Sequence, residues 1–266
     1  MSGIRTSTTS CGDMPAVLAV PETDAPVSCV IVMHERYGFV PHTRDLAERM
    51  ARDGYVAIAP DFYFRHPDQE ALHRGDSGYD MSDGEAVAGL TAAIEALRAV
   101  PQADVTRIAA MGVCQTARHP LLLAASRKIA AALVWYGAAQ PREWKVDVKY
   151  PRPLEEVIAE IDCPVLGMFG EADHLISLND VRRFRDCLER HSKSYSIHVY
   201  GDAPHGWLND TMPGRYRRAQ AEAAWAEQRA FLREAFAPGA DRSRRLQRYT
   251  ADTAADYDFS RNVRME

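Results

Sequence analysis

Hydrophobic and polar positions follow two patterns in this chain. Short runs of consecutive apolar residues, such as 28–33, 55–59 and 129–136, are typical of strands buried on both faces of a sheet. Between them, apolar residues recur at about every third or fourth position, as over 83–99, which is typical of amphipathic helices. Strands that alternate with helices predict an α/β fold, with a mostly parallel central sheet and helices on both faces.

These patterns predict the following elements. The predicted strands cover 14–20, 28–33, 55–59, the run from 105 to 113, 129–136, 164–169 and 195–200. The predicted helices cover 43–52, 83–99 with Asp83 as its cap, the stretch around 121–125, 154–161, 178–190 and 219–236. Residues 62–82 and 137–153 show no clear period and are predicted to be loops. The first strand is expected to form a hairpin with residues before Gly12.

A composition shift divides the chain. We expect one domain over 1–237 and a charged C-terminal tail over 238–266, because the sequence after Pro238 is rich in Arg and Asp. The tail also carries Tyr249, Tyr257 and Phe259. Two interpretations stay open: the tail docks on the body or on a second subunit, or it is a solvated end.

Composition and charge exclude several classes of protein. A hydrophobic fraction of 46% with 26% charged residues is that of a globular protein, and the net charge of −5 gives no reason to expect nucleic acid or membrane as a partner.

There is neither an apolar run of about 20 residues nor a signal-peptide core, so we expect a cytoplasmic protein. The five cysteines are widely spaced, which favours reduced thiols. The chain is expected to be a monomer or a homodimer.

The stretch from Val105 to Arg118 contains the candidate nucleophile. A β-branched apolar run reaches Gly112 and Cys114 and then passes into a helical segment. A strand that turns sharply into a helix at Gly-x-Cys has the geometry of a nucleophile elbow, with Cys in place of the usual Ser. Such a turn lifts one side chain above the edge of the sheet.

Three further candidates follow predicted strands. Asp173 comes after the strand 164–169, His205 after 195–200, and Glu35 after 28–33. In open α/β sheets the chemistry lies beyond the carboxyl ends of the strands. Nucleophile, acid and histidine in that chain order is the arrangement of α/β-hydrolases.

Each candidate has a physical role in acyl transfer. His205 would accept the proton of the Cys114 thiol and later protonate a leaving group, and Asp173 would orient the imidazole. The backbone N–H groups of Arg36 and Gln115 would form an oxyanion hole. Taken singly, the alternatives are structural: a buried apolar Cys, an Asp that caps a helix, a His in a turn. The order of the three, each after its own strand, favours a triad.

With these residues in view, the chain resembles the dienelactone hydrolase (carboxymethylenebutenolidase) family over roughly residues 14–236. The resemblance rests on VMHERYG (32–38), YVAIAPD (55–61), Gly112-Val-Cys114, GEAD (170–173) and Pro204-His-Gly206. It implies a single-domain α/β-hydrolase fold with Cys114 as nucleophile, Asp173 as acid and His205 as base. It further implies that Glu35 contacts the resting thiol and takes part in its ionisation. An ion pair between Glu35 and a neighbouring Arg is a compatible alternative.

The sequence departs from the family around the substrate. Thr116 and Ala117 stand where the family elbow has two glycines, so we expect a wider or differently packed elbow. Asn209 stands four residues after the histidine, where family members place an arginine for the substrate carboxylate. The predicted substrate-binding residues are Tyr37, Arg74, Tyr79, Arg118 and Trp207, with surface roles as the alternative for the arginines.

The predicted function is therefore cofactor-free hydrolysis of a lactone or activated ester through an acyl–Cys114 intermediate, with anionic and aromatic compounds among the expected substrates. Thioesters or other activated carbonyl compounds are the alternative substrates. A non-hydrolytic small-molecule-binding protein on the same fold is an alternative of a different class. The histidines show no HExxH or comparable spacing, so no metal is expected.

Overall fold

The computed structural model describes residues 3–239 and 245–266. The strands are β1 (Ile4–Cys11), β2 (Met14–Pro21), β3 (Val27–Val32), β4 (Val56–Pro60), β5 (Ala103–Val113), β6 (Ala131–Trp135), β7 (Val165–Ala172), β8 (Tyr195–Pro204) and β9 (Gln247–Ala251). The helices are α1 (Pro41–Arg52), α2 (Gln69–Arg74), α3 (Asp83–Arg98), α4 (His119–Ser126), α5 (Leu154–Glu160), α6 (Leu178–Arg190) and α7 (Arg218–Ala235). In the described part of the chain, no helix is long and apolar enough to cross a membrane.

The strands form one mixed sheet in the order β1-β2-β4-β3-β5-β6-β7-β8-β9. β1 and β2 form the predicted antiparallel hairpin, and β2 pairs antiparallel with β4. Every other pair is parallel. Because parallel strands end at the same edge, the residues that follow β3, β5, β6, β7 and β8 meet there.

Helices cover both faces of the sheet, as predicted. Along β3, Cys29 and Ile31 belong to the hydrophobic cluster that packs against α3, α4, α5 and α6. Val30 and Val32 belong to the cluster on the other face, which packs against α1 and α7. Successive side chains of a strand point to opposite faces, so a strand buried on both sides is apolar at every position.

The structure corrects the start of α3. Its N-cap is Ser82, whose hydroxyl accepts from the Glu85 backbone while the Glu85 carboxylate accepts from the Ser82 backbone. Asp83 is the first residue inside the helix, and its carboxylate faces Arg118 instead of capping.

One α-helix and one strand lie where none was predicted. α2 occupies part of the predicted loop 62–82, and it is too short to show a helical period. β9 lies in the predicted tail and pairs with β8, although most of its side chains are exposed. Backbone hydrogen bonds to an edge strand hold β9, which an apolar pattern does not reveal. Residues 240–244 of the tail are outside the described residues.

Candidate active site

The turn between β5 and the segment leading to α4 is a strained elbow. Cys114 follows β5 directly and adopts a φ of 57°, in the left-handed region that non-glycine residues rarely occupy. A Cβ added at Gly112 would overlap the carbonyl oxygen of Thr116. Glycine at 112 therefore allows the chain to fold back closely, and the turn presents a partly exposed Cys114 at the edge of the sheet.

The packing around the elbow accommodates Ala117 and Thr116, which stand where the sequence departs from the family pattern. A Cβ added at Gly137, after β6, would lie 2.5 Å from the Cβ of Ala117, so the glycine at 137 makes room for the methyl group at 117. The Thr116 hydroxyl accepts from the Val113 N–H at 3.0 Å and donates to the His34 carbonyl at 2.8 Å. The Thr116 hydroxyl therefore links the elbow to the loop after β3.

Cys114, His205 and Asp173 form one hydrogen-bonded chain. The Cys114 Sγ lies 3.0 Å from His205 Nε2, and His205 Nδ1 lies 2.8 Å from Asp173 Oδ2. Asp173 Oδ1 accepts the backbone N–H groups of Leu175 at 2.7 Å and Ile176 at 3.2 Å. These bonds fix the carboxylate and leave its other oxygen for the imidazole.

The charges around His205 favour its cationic form. Burial lowers the pKa of His205, but the neighbouring Asp173 and Cys114 outweigh burial, so the pKa is raised well above its ordinary value of 6.5. The imidazole can therefore hold a proton between the sulfur and the carboxylate. This electrostatic arrangement suits activation of a thiol.

Glu35 is buried beside the Cys114–His205–Asp173 chain, and each of its carboxylate oxygens accepts a hydrogen bond. Tyr136 Oη donates to Oε1 at 3.0 Å, and Asn209 Nδ2 donates to Oε2 at 2.6 Å. Burial and then the Glu35 charge raise the pKa of Tyr136 well above 10.0, so its phenol stays a donor. Asn209, predicted only as a missing arginine, is fully buried and serves Glu35.

Tyr136 is the site residue that the sequence did not single out. It directly follows β6, has a φ of 35°, and lies edge-on to His205 with 5.3 Å between ring centroids. In sequence it was one of several aromatic residues near strand ends. Its place at the end of a buried apolar run, directly before Gly137, was the available signal.

The loop that carries Glu35 and Arg36 is fixed from both sides. The ring of His34 contacts the Glu35 carbonyl through Nδ1 at 2.8 Å and accepts the Phe62 N–H through Nε2 at 3.0 Å. Burial lowers the pKa of His34 to about 4, so the ring is neutral and holds this loop against the end of β4. The Arg36 guanidinium donates to the carbonyls of Gly75 and Ser77, both at 3.2 Å.

The predicted substrate-binding residues fall into different places. Tyr79 lies beside the elbow, because its carbonyl accepts from the Gln115 side chain at 2.8 Å. Tyr37 is buried, and its hydroxyl accepts from Arg215 at 3.0 Å. Trp207 is fully buried in the core, 5.4 Å from the ring of Trp135. Arg74 is exposed and pairs with Asp76.

Arg118 is part of a buried ion pair. Its Nε and Nη2 donate to the two carboxylate oxygens of Asp83, both at 2.9 Å, and Nη2 also donates to the Arg152 carbonyl at 2.6 Å. The guanidinium is 4.7 Å from the ring centroid of Tyr150. With its donors engaged in this way, the contacts of Arg118 give no support to the predicted role in substrate binding.

The opposite edge of the sheet holds the other notable features. Among the described residues, Glu155, Cys187 and His191 place potential metal ligands within 4.8 Å of one another, but Glu155 already pairs with Arg190. A cavity of about 360 Å³ is lined by residues that precede β6, β7, β8 and β9. Among the described residues, Cys114, Asp173 and His205 do not line this cavity.

Comparison with known proteins identifies relatives. The model of the dienelactone hydrolase family matches residues 14–236. A protein of Escherichia coli K12 named "Putative carboxymethylenebutenolidase" is 31% identical over 236 residues, which cover 83% of this chain and 82% of the relative. A protein of the same name from Methylorubrum extorquens is 28% identical and covers 84% of this chain and 77% of the relative.

Solved structures show the same fold. The crystal structure of a putative dienelactone hydrolase from Klebsiella pneumoniae matches with a TM-score of 0.78 at 28% identity, and the match covers 86% of this chain and 98% of that chain. Est1E from Butyrivibrio proteoclasticus has a TM-score of 0.64 at 15% identity, covering 88% and 99%, which supports the fold alone. The family match over most of the chain confirms the resemblance read from the sequence: the chain belongs to the dienelactone hydrolase family of α/β-hydrolases and is a hydrolase of carboxylic ester or lactone bonds.

Proposed function

We propose that the protein hydrolyses a lactone or an activated carboxylic ester through a covalent acyl–Cys114 intermediate. One observation carries this proposal: the continuous chain from Cys114 through His205 to Asp173, with distances of 3.0 and 2.8 Å. Both are hydrogen-bond distances, so a proton can move between sulfur and imidazole without rearrangement of the backbone.

The acylation step uses the sulfur and the imidazole. The Cys114 thiolate attacks the carbonyl carbon while His205 keeps the thiol proton, and the carbonyl oxygen becomes an oxyanion. The backbone N–H groups of Arg36 and Gln115 stabilise that oxyanion. When it collapses, the carbon–oxygen bond of the ester breaks, and His205 gives its proton to the leaving alcohol, which in a lactone stays attached to the acyl group.

Water completes the cycle. A water molecule attacks the acyl–Cys114 carbonyl carbon through its oxygen, and His205 takes a proton from that water. The carbon–sulfur bond then breaks and releases the carboxylic acid, and the sulfur recovers its proton from His205. Asp173 stabilises the imidazolium in both steps.

Glu35 has a supporting role in this proposal. Its carboxylate is buried next to Tyr136, which itself lies against His205. Through Tyr136, the buried carboxylate fixes the aromatic ring that packs against the imidazole. For Glu35 to reach the thiol directly, it would have to exchange one of its bonds to Tyr136 or Asn209.

The test is a hydrolysis screen over lactones, activated esters and thioesters with Cys114→Ala and Cys114→Ser. Both variants should lose at least about 10³-fold in kcat with the fold intact, and Cys11→Ala, which changes a buried cysteine in β1, should keep activity. Mass spectrometry after quenching should find the acyl group on the peptide that contains Cys114. Full activity of Cys114→Ala would overturn the mechanism. If the wild-type protein binds these compounds but releases no burst of alcohol product, the alternative of a non-hydrolytic binding protein is favoured.

A further inference from the structure

The chain that follows β9 turns back over the edge of the sheet where the triad lies. The Asp252 N–H donates to the Val199 carbonyl at 2.8 Å. A Cβ added at Gly201 would overlap the Asp252 carbonyl oxygen, so the backbones of β8 and this segment approach very closely. The Ala254 N–H bonds to the carboxylate of Glu171. Residues 252–266 therefore begin their course directly beside the ends of β7 and β8.

The segment then holds the turn that carries the triad acid. The side-chain amide of Asn262 donates to the carbonyls of Glu171 at 2.9 Å and Asp173 at 3.0 Å. Farther along the same turn, the Leu178 N–H donates to the hydroxyl of Tyr257 at 3.1 Å. The backbone that orients the Asp173 carboxylate is thus bonded to residues 252–266 before and after the acid.

The same segment reaches the loop on the other side of the site. The Met265 carbonyl accepts from Arg215 Nε at 2.6 Å, and Arg215 Nη1 donates to the Tyr37 hydroxyl at 3.0 Å. Arg215 is buried, and Tyr37 is next to the proposed oxyanion donor Arg36. The backbone passes so close to Gly214 that a Cβ there would overlap the carbonyl oxygen of Glu266.

We propose that residues 252–266 complete the active site, with Asn262 as a positioning residue that holds the Asp173 turn against His205. The inference rests on the proposed triad function. The segment lies outside the family match, which ends at residue 236, so the family resemblance assigns it nothing. It connects the acid turn to the Arg215–Tyr37 pair as one bonded unit.

This positioning should affect turnover more than substrate binding. The Asp173 carboxylate must meet His205 Nδ1 within hydrogen-bond distance in the transition state, and small displacements of such groups lower rates strongly. Asn262 touches neither the sulfur nor the imidazole, so its loss acts through the geometry of Asp173. Loss of its two hydrogen bonds should lower kcat by about tenfold and leave KM within about twofold.

Three full-length variants test the proposal on an ester that the wild-type protein hydrolyses. Asn262→Ala removes both hydrogen bonds to the turn that carries Asp173. Gly214→Val places a side chain where the backbone of residues 265–266 lies, without changing residues 252–266 themselves. Val263→Ala is the matched control, because Val263 is 62% exposed and belongs to the same segment. Hydrogen exchange over 252–266 reports whether the segment stays bound to the rest of the protein. Thermal unfolding reports the stability of the fold.

We expect both test variants to lose about tenfold in kcat, and the control to lose nothing. The double variant should lose little more than the larger single loss, because both changes release one unit. Burial lowers and Asp173 raises the pKa of His205, so the inflection of His205 in the pH profile should move toward lower pH in Asn262→Ala. A merely structural role would not move that inflection.

Wild-type kcat in both test variants, with hydrogen exchange showing a released segment, would overturn the proposal. An unchanged pH profile together with a lower melting temperature would overturn it as well, since the segment would then only stabilise the fold. Failure of the proposed function looks different: Cys114→Ala would stay active, whatever the Asn262 variants do.

Discussion

The side-chain amide of Asn209 donates a 2.6 Å hydrogen bond to Oε2 of Glu35, across 174 positions of the sequence. The Asn209 Oδ1 accepts the N–H and the hydroxyl of Thr211 at 3.1 and 2.7 Å, so the orientation of the amide is fixed. The position at which the family resemblance predicted an arginine therefore carries a neutral donor for a buried carboxylate.

The first prediction concerns this bond. Asn209→Ala leaves one oxygen of Glu35 buried without a donor, which should lower the free energy of unfolding by about 1–3 kcal/mol and kcat/KM by about tenfold. Asn209→Asp should be worse than Ala, because two buried carboxylates would face each other. Thermal unfolding and steady-state kinetics of the two variants check the order. If Asn209→Asp equals the wild-type protein in both measurements, the bond has no functional weight.

The second prediction concerns the close approach of Gly137 to the elbow. Gly137→Ala should push against the Cys114 carbonyl and the Ala117 methyl group, which costs about 1–3 kcal/mol of stability and lowers kcat as Cys114 shifts. Adding Ala117→Gly removes the contact with the methyl group and should restore part of the lost stability. The recovery should be incomplete, because the contact with the Cys114 carbonyl remains. Chemical denaturation and kinetics measure both effects.

The control for this prediction is Gly84→Ala, inside α3, where the added Cβ meets only the Ser82 hydroxyl oxygen, at 4.0 Å. It should stabilise the protein by about 0.5–1 kcal/mol, because alanine is the better helix former. An equal cost at both positions would show that the close packing at 137 is not what makes the substitution harmful.

The sequence was sufficient for the sheet and for finding Cys114, Asp173 and His205, which the structure brings into one hydrogen-bonded chain. Strands buried on both faces are continuous apolar runs, and the polar residues that follow them are easy to find. Tyr136 could not be separated from its aromatic neighbours, because its role depends on the distance to Glu35 and His205 in three dimensions. The contacts of Arg118 could not be predicted for the same reason: the Asp83 carboxylate that engages it lies 35 positions away in sequence.

The third prediction is a pH dependence at the junction of β8, α7 and β9. His198 Nδ1 lies 2.9 Å from Glu227 Oε2, and Nε2 lies 2.9 Å from Asp252 Oδ2, while Tyr200 Oη also donates to Glu227. Burial lowers the pKa of His198, but the two carboxylates outweigh burial and raise it above 6.5. The stability from this group is therefore fully present below the unfolded-state pKa of 6.5 and lost as pH rises through the raised folded-state value.

His198→Gln measures that contribution. The free energy of unfolding of the wild-type protein should exceed that of the variant by more at about pH 6 than at about pH 9. His73→Gln, at an exposed position in α2, is the control and should give a similar difference at both pH values. A gap for His198→Gln that is equal at both pH values would contradict a cationic His198.

The last prediction separates two roles for Arg118. If its guanidinium only joins the start of α3 to the start of α4, Arg118→Met should cost about 3–5 kcal/mol of stability, because Asp83 is left buried without its partner. The KM of the folded variant should then stay unchanged. The exposed pair Arg98–Glu95 supplies a comparison, since Arg98→Ala should cost less than about 1 kcal/mol. A raised KM with little loss of stability would instead support a role of Arg118 in substrate binding.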